Sequence, residues 1–189
     1  MSIFVRDLTV TLGGVPVLDR FTAWFPEGGL GYLSGPSGVG KTTLLRVLAG
    51  LQKPDSGELE LPRRPILLFQ EDRLFPRRTA LEQVQAVLPK ESRGKAMEYL
   101  ALVELEEAVD KLPGELSGGM ARRLALARCL AAGEALDAGW YLLDEPFAGV
   151  DLDRAERILA RLRELDRPIL LTGHTPQLAN LCDREIELA

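Results

Sequence analysis

The sequence predicts an α/β fold built on a mostly parallel sheet, with an antiparallel β layer before the sheet and a helical segment inserted into it. Three observations support this prediction. Apolar and polar residues alternate over roughly the first 25 residues, short apolar runs recur from residue 30 onwards, and residues 71–130 are dominated by helical patterns. Strands that alternate with helices along a chain usually pair in parallel.

The first segment is predicted to form antiparallel strands. Its alternation changes phase after Val5, which indicates a bulge or a bend in the first strand. Gly13-Gly14 then predicts a turn, and the alternation resumes beyond it. The alternating apolar residues are Ile3, Val5, Leu8, Val10, Leu12, Phe21, Ala23 and Phe25.

Short apolar runs predict the core strands. The runs are 30–33, 66–69, 140–143 and 169–172, and a last short strand is expected around Ile186 and Leu188. The run Ile66-Leu67-Leu68-Phe69 is continuous, so we expect a strand that is covered on both faces.

The intervening helices have identifiable starting residues. Thr79 and Glu82 have the spacing of a capping box. A second helix is expected from about Arg93 to Val103, and a third opens at Ser117. Beyond the next strand, Asp151 is placed to cap a long amphipathic helix.

Composition excludes several classes of protein. The 189 residues carry a formal net charge of −5, so a broad basic surface for nucleic acid is not expected. No apolar run reaches the length of a membrane span, and the N-terminus lacks the apolar core of a signal peptide. The two cysteines, Cys129 and Cys182, are far apart, which favours reduced thiols in a cytosolic protein.

A glycine-rich segment at residues 35–43 fits the phosphate-binding pattern G-x-x-x-x-G-K-[ST], between a predicted strand and a predicted helix. Three of its glycines permit positive φ angles that turn backbone N–H groups toward phosphate oxygens. Lys41 supplies a positive charge to the β- and γ-phosphates, and the Thr42 hydroxyl can hold Mg²⁺. The alternative is an ordinary glycine-rich turn. The segment reads Gly35, Pro36, Ser37, Gly38, Val39, Gly40, Lys41, Thr42 and Thr43.

Polar residues follow the core strands, whose ends converge on the ligand in α/β sheets. Asp144 can hold Mg²⁺, and Glu145 can polarise an attacking water as general base. The Gln70 amide can reach Mg²⁺ or that water, although an exposed strand-end glutamine is the better interpretation of its residue type alone. His174, the one histidine, follows another core strand and is predicted to be functional, whereas a lone histidine is more often structural.

The order of these motifs resembles that of the ATP-binding cassette (ABC) ATPases over almost the whole chain. Leu116-Ser117-Gly118-Gly119 matches the signature of that family. The stretches 69–76 and 144–147 are most similar to bacterial importer cassettes, such as those for nitrate, sulfonate or taurine-like solutes. The resemblance implies a single ABC ATPase domain. Residues 1–70 and 131–189 would form a RecA-like P-loop NTPase core with the antiparallel layer, and residues 71–130 would form the helical subdomain.

The resemblance also implies roles and partners. ATP and Mg²⁺ would be the cofactors, and His174 would contact the γ-phosphate and hold Glu145 and the water. Ser117, Gly118 and Gly119, with Asp151 at the interface, would close over ATP held by a second copy or a related cassette. The head-to-tail pair would lie at the inner face of the cell membrane and drive a membrane permease. An extracytoplasmic solute-binding protein would deliver the solute to that permease.

The sequence departs from the family pattern at several positions. Leu12 stands where an aromatic residue usually stacks on adenine, which predicts weaker discrimination between ATP and GTP. Met120 replaces a glutamine, and activity is expected to survive this change because Ser117 and the glycines face the phosphate. The chain is short for the family and is expected to lack a C-terminal regulatory domain and the usual last strand and helix.

Two other functions are compatible with a phosphate loop. A soluble cassette acting on DNA or ribosomes is disfavoured by the net negative charge of the chain. It is also disfavoured because the chain has one set of cassette motifs, with no coiled coil or zinc module between them. A regulatory module without turnover is disfavoured by the presence of Lys41, Asp144, Glu145 and His174 together.

Overall fold

The computed structural model describes residues 2–61, 63–89, 92–165 and 167–189. The elements in chain order are β1 (Ile3–Leu12), β2 (Val15–Phe25), β3 (Leu30–Ser34), α1 (Lys41–Leu48), β4 (Ser56–Glu60), β5 (Pro65–Leu68), α2 (Ala80–Gln85), α3 (Arg93–Leu102), α4 (Gly118–Ala135), β6 (Trp140–Leu143), α5 (Leu152–Arg163), β7 (Ile169–Thr172), α6 (Pro176–Asn180) and β8 (Arg184–Glu187). Short 3₁₀ turns lie at Glu106–Ala108 and Pro113–Glu115.

The strands form two sheets. An antiparallel sheet has the order β2-β1-β4, and a five-stranded sheet has the order β5-β6-β7-β3-β8 with parallel pairing throughout. The predicted fold class is therefore confirmed. The pairing of β1 with β2 shifts register between Val5 and Leu8, where the change of phase predicted a bulge.

The parallel sheet is covered on both faces. Successive side chains of a strand point to opposite faces, and β6 shows this alternation. Trp140 and Leu142 belong to the apolar cluster formed with α1 and the antiparallel sheet, whereas Tyr141 and Leu143 belong to the cluster formed with α2–α5. Leu142 and Leu143 are completely buried, and each such side chain contributes about 1.5–3 kcal/mol to the free energy of folding.

Strand β5 differs from the expectation that it is covered on both faces. It is an edge strand whose one strand partner is β6, and Ile66 and Leu67 are only half-buried. A continuous apolar run cannot distinguish a central strand from an edge strand that a helix partly covers. The uncovered part borders a cavity of about 190 Å³ between β5 and α4.

The helix starts follow the sequence prediction. Thr79 and Glu82 form a complete capping box at α2, and the Asp151 carboxylate accepts a hydrogen bond from the Arg154 backbone at the start of α5. The division into a core and a helical subdomain at residues 71–130 stays a prediction, and α4 crosses its second boundary because it continues to Ala135. Among the described helices, none combines the length and the apolar character needed to span a membrane.

Candidate functional site

The phosphate loop connects β3 to α1, as the sequence predicted. Gly35, Gly38 and Gly40 have φ angles of 137°, 80° and 114°, which confirms that the loop uses positive φ at these positions. The Lys41 ammonium group donates hydrogen bonds to the carbonyl oxygens of Gly35 (2.7 Å) and Pro36 (2.9 Å). Lys41 therefore lies across its own loop, where a phosphate group would meet both its charge and the start of α1.

The β1–β2 hairpin packs against this loop. A Cβ atom at Gly40 would lie 3.0 Å from the Val17 carbonyl oxygen and 3.0 Å from its Cγ1, so close approach as well as φ requires glycine there. Leu12, near the tip of the same hairpin, is 41% exposed. An exposed leucine can cover a base without stacking on it, and the effect of Leu12 on nucleotide choice stays a prediction.

The two predicted acids follow β6, and Thr172 at the end of β7 connects them. The Asp144 side chain is buried, with 3% exposure, and accepts a hydrogen bond from the Thr172 hydroxyl at 2.9 Å. The Thr172 hydroxyl also accepts a hydrogen bond from the Glu145 backbone N–H at 2.9 Å. Glu145 has a φ of 49°, an unusual value for a residue with a side chain, and residues held in this way cluster at functional sites.

His174 contacts Glu145 directly. Its Nε2 atom lies 3.2 Å from the Glu145 Oε1 atom, and the imidazole is about half exposed. The structure thus brings His174 to the consecutive acids Asp144 and Glu145, because the two segments follow adjacent strands. Their catalytic roles stay predictions.

The sequence did not predict a role for Tyr32, which contacts the segment that follows His174. The Tyr32 hydroxyl accepts a hydrogen bond from the Thr175 N–H (3.2 Å) and donates one to the Thr175 carbonyl oxygen (3.4 Å). Burial raises the pKa of Tyr32, so the hydroxyl keeps the proton it donates. A Cβ atom at Gly173 would lie 2.6 Å from the Tyr32 hydroxyl oxygen, so the tyrosine occupies space that only a glycine leaves free.

Replacing Gly173 with alanine is expected to destabilise the protein by about 1–3 kcal/mol, because the new methyl group meets that hydroxyl oxygen. Adding Tyr32→Phe should recover much of the loss, since the next ring atom lies 3.3 Å away. Urea unfolding of the two single variants and the double variant measures the coupling. Additive losses would show that the two residues do not interact.

Arg122 of α4 is a second feature that the sequence reading missed. It is 3% exposed, and its guanidinium group donates to the backbone carbonyls of Asp144, Glu145 and Gln70. The structure therefore connects Gln70 to the two acids through its main chain, while its side chain is exposed. The available signal was an arginine pair in the second turn of a helix that is rich in leucine and alanine.

The signature residues lie away from this cluster. Ser117 is exposed and caps α4 by accepting a hydrogen bond from the Met120 N–H at 3.3 Å. Gly119 packs closely on the Gly149 carbonyl, so the signature adjoins the loop that leads to Asp151. Among the described residues, no hydrogen bond or ion pair joins residues 117–119 to the phosphate loop, Glu145 or His174.

An ion cluster joins α5 to the segment after α3. Glu104 accepts charged hydrogen bonds from Arg157 (2.8 Å) and Arg154 (3.1 Å), and Arg161 lies 3.4 Å away. The hydrogen bonds from Arg157 are the largest cause that lowers the pKa of Glu104 to about 2. Arg154 also donates a hydrogen bond to the Asp151 carboxylate at 2.8 Å. The Asp151 side chain therefore caps α5 and also forms an ion pair within its own chain.

The residues predicted to hold Mg²⁺ provide a suitable set of donors. Thr42 offers a hydroxyl, Gln70 an amide oxygen and Asp144 a buried carboxylate, and hard divalent cations prefer such oxygen ligands. No cluster of three or more histidine, cysteine, aspartate or glutamate residues occurs in the described part of the chain. This donor set fits Mg²⁺, which binds few protein carboxylates and keeps positions for phosphate and water.

Three comparisons identify the family. Residues 18–148 match the family model described as "ABC transporter". The chain is 37% identical to the aliphatic sulfonates import ATP-binding protein SsuB 1 of Nocardia farcinica, over 100% of this chain and 78% of that protein. It is 37% identical to the sulfate/thiosulfate import ATP-binding protein CysA of Vibrio vulnificus, over 92% of this chain and 55% of that protein.

A solved structure agrees with the sequence matches. The chain superposes on a dimeric ATP-binding cassette in a post-hydrolysis state, bound to ADP and phosphate, with a TM-score of 0.87 and 27% identity over 98% of this chain and 94% of that one. The resemblance inferred from the motifs is thus confirmed. The chain belongs to the ABC transporter family, as an ATP-binding and ATP-hydrolysing subunit.

Proposed function

We propose that this chain works as one half of a head-to-tail dimer that holds two ATP molecules and powers a membrane permease for import of a small solute. The observation that carries this proposal is the separation of two half-sites in one chain. Lys41, Asp144, Glu145 and His174 belong to one cluster of loops, whereas Ser117 caps an exposed helix start elsewhere. A second copy would complete each site.

Catalysis would depend on positioning and electrostatics, because phosphoryl transfer needs little covalent chemistry from the protein. The phosphate loop and Lys41 bind the phosphates, and Glu145 orients the attacking water and accepts its proton. His174, 3.2 Å from the Glu145 carboxylate, holds that group in place. Mg²⁺, held by Thr42, Gln70 and Asp144, would neutralise charge on the phosphates.

The half-site on α4 would act on ATP bound by the partner. Ser117 and the free N–H groups of the first helical turn form a positive end that suits the γ-phosphate. Asp151 lies on the neighbouring loop and is exposed, so it can contact the partner as well. Two solved structures of a similar cassette are dimeric, and one of them holds ADP and phosphate, which supports the arrangement.

The permease is proposed to contact the cavity beside Gln70. The cavity is bordered by Phe69, Asp72 and Arg73 on one side and by Arg128 of α4 on the other, so a segment seated there would contact the loop after β5 and the helix that begins at the Ser117 cap. Phe75 nearby is 46% exposed and lies beneath two guanidinium groups. Such a subunit would lie on the inner face of the cell membrane, and an extracytoplasmic binding protein would supply the solute.

The names of the relatives suggest the class of solute. They describe import of sulfate, thiosulfate and aliphatic sulfonates. We therefore propose a small sulfur-containing oxyanion as the transported solute. The alternative of a soluble cassette acting on DNA or ribosomes is not favoured by any of these relatives.

Uptake in cells lacking this chain tests the proposal. Accumulation of radiolabelled sulfate or alkanesulfonate is expected to fall to background for at least one of these solutes. Expression of the wild-type chain should restore uptake, whereas the Glu145→Gln variant should not. Unchanged uptake of every solute in the deletion strain would contradict the assignment to sulfur oxyanions, and uptake restored equally by both chains would contradict the coupling to ATP hydrolysis.

A further inference from the structure

Arg122 connects three segments of the chain. It lies in the second turn of α4, and its guanidinium Nε donates to the Glu145 carbonyl oxygen at 2.9 Å. The Nη2 atom donates to the Asp144 carbonyl oxygen. Both residues belong to the loop after β6, so this side of the guanidinium binds the backbone that carries the predicted Mg²⁺ ligand Asp144 and the predicted general base Glu145.

The remaining N–H groups bind the loop after β5. The Nη1 atom lies 2.8 Å from the Phe69 carbonyl oxygen, 3.1 Å from that of Gln70 and 3.0 Å from the Asp72 carboxylate. Only arginine has a planar fork with five donors that can reach acceptors on two separate loops. At 3% exposure, water cannot replace these bonds.

The bond to Glu145 matters because the backbone of Glu145 is strained. A φ of 49° is unfavourable for a residue with a side chain and persists only when its surroundings enforce it. The Thr172 hydroxyl accepts the N–H of Glu145, and the Glu145 carbonyl oxygen accepts from Arg122 Nε at 2.9 Å and from the Ala148 N–H at 3.2 Å. Both peptide groups that set the direction of the Glu145 side chain are therefore held from outside the loop.

We propose that Arg122 is a positioning residue that aims the Glu145 carboxylate and makes this aim depend on the position of α4. Arg122 binds backbone carbonyl groups and the Asp72 carboxylate, so it would act through Glu145 and not on the reacting atoms. Because α4 begins at the Ser117 cap, a displacement of the signature half-site pulls on the backbone of Asp144, Glu145 and Gln70 in the same chain. The inference rests on the proposed role of Glu145 as general base.

The neighbouring arginine provides a matched control. Arg123 is 5% exposed and donates to the carbonyl oxygens of Val103 (2.7 Å) and Glu104 (2.5 Å), far in sequence from either catalytic loop. Replacing either arginine with glutamine leaves buried carbonyl groups without a donor, so both variants should lose thermal stability. Only Arg122→Gln should also lower turnover per folded molecule.

The decisive measurement is the turnover number of ATP hydrolysis, taken well below the unfolding temperature of each variant, in two backgrounds. Arg122→Gln is expected to lower the turnover number about 10- to 100-fold with the affinity for ATP unchanged. In the Glu145→Gln background the same change should lower it less than twofold, because the group that Arg122 aims is already disabled. Arg123→Gln should lower it less than twofold in the native background.

Several outcomes would overturn the inference. Equal losses from Arg122→Gln in the two backgrounds, or equal losses from Arg122→Gln and Arg123→Gln, would make Arg122 a structural residue only. If Arg122→Gln does not fold, Arg122→Lys replaces it in both backgrounds, since lysine keeps the charge but cannot span both loops. If Glu145→Gln alone had a normal turnover number, Glu145 would not be the general base. That result would contradict the proposed function and is distinct from a failure of the role of Arg122.

Discussion

Replacing Glu145 with glutamine is expected to lower the turnover number of ATP hydrolysis by about 100- to 10,000-fold, the usual contribution of a general base. The amide keeps the shape of the carboxylate but cannot accept the proton of the attacking water. The phosphate loop and Lys41 are unchanged, so ATP should bind as before. The variant should therefore accumulate as an ATP-bound dimer, whereas wild-type protein should return to monomers once it has hydrolysed ATP and released ADP and phosphate. Steady-state hydrolysis and size-exclusion chromatography with ATP measure both effects.

Glu164→Gln is the control for this variant. Glu164 is an exposed acid at the end of α5, and it makes none of the contacts of the site. Its replacement removes one negative charge from the protein and should leave both turnover and dimerisation unchanged. A turnover number for Glu145→Gln within threefold of wild type would remove Glu145 as the general base and leave the water to another group.

Local patterns made much of this site predictable. The spacing of the phosphate loop fixes which glycines take positive φ, and the structure has them there. Asp144, Glu145 and His174 were predicted to converge because they follow core strands, and β6 and β7 do pair in parallel next to each other. Capping residues such as Thr79 and Asp151 were equally visible, since a cap involves residues only three positions apart.

Contacts between distant residues were not predictable in this way. The Tyr32 ring occupies the space left free by Gly173, although 141 sequence positions separate the two residues. Neither residue has an unusual local sequence pattern. Arg122 reaches carbonyl groups up to 53 positions away, and Glu104 forms ion pairs with arginines as much as 57 positions away (161 − 104 = 57). Backbone carbonyls are present at every position, so no sequence pattern marks which of them a buried arginine binds. The edge position of β5 was also not predicted, because strand order is set by the topology of the fold and not by composition.

The proposed composite site makes a sharper prediction, because each half-site can be disabled in a different chain. Lys41→Ala removes the charge that binds phosphate. Gly118→Asp places a carboxylate at the first residue of α4, where the phosphate held by the partner would approach. No atom lies within 4 Å of a Cβ atom at Gly118 and its φ is not positive, so this variant should fold normally. An acid also suits the first turn of a helix.

Each variant alone is expected to lack ATPase activity, and an equimolar mixture is expected to recover about one quarter of the wild-type rate. In a head-to-tail dimer, half of the randomly formed pairs contain one chain of each kind, and each mixed pair has one intact site out of two. Gly94→Asp, an equivalent change in the first turn of α3, is the control and should be active alone. A mixture as inactive as its components would rule out shared sites, and an active Gly118→Asp variant would show that residues 117–119 do not approach ATP. Because restoration requires that the intact phosphate loop of one chain meets the intact signature of the other, no arrangement in which each chain hydrolyses ATP alone can produce it.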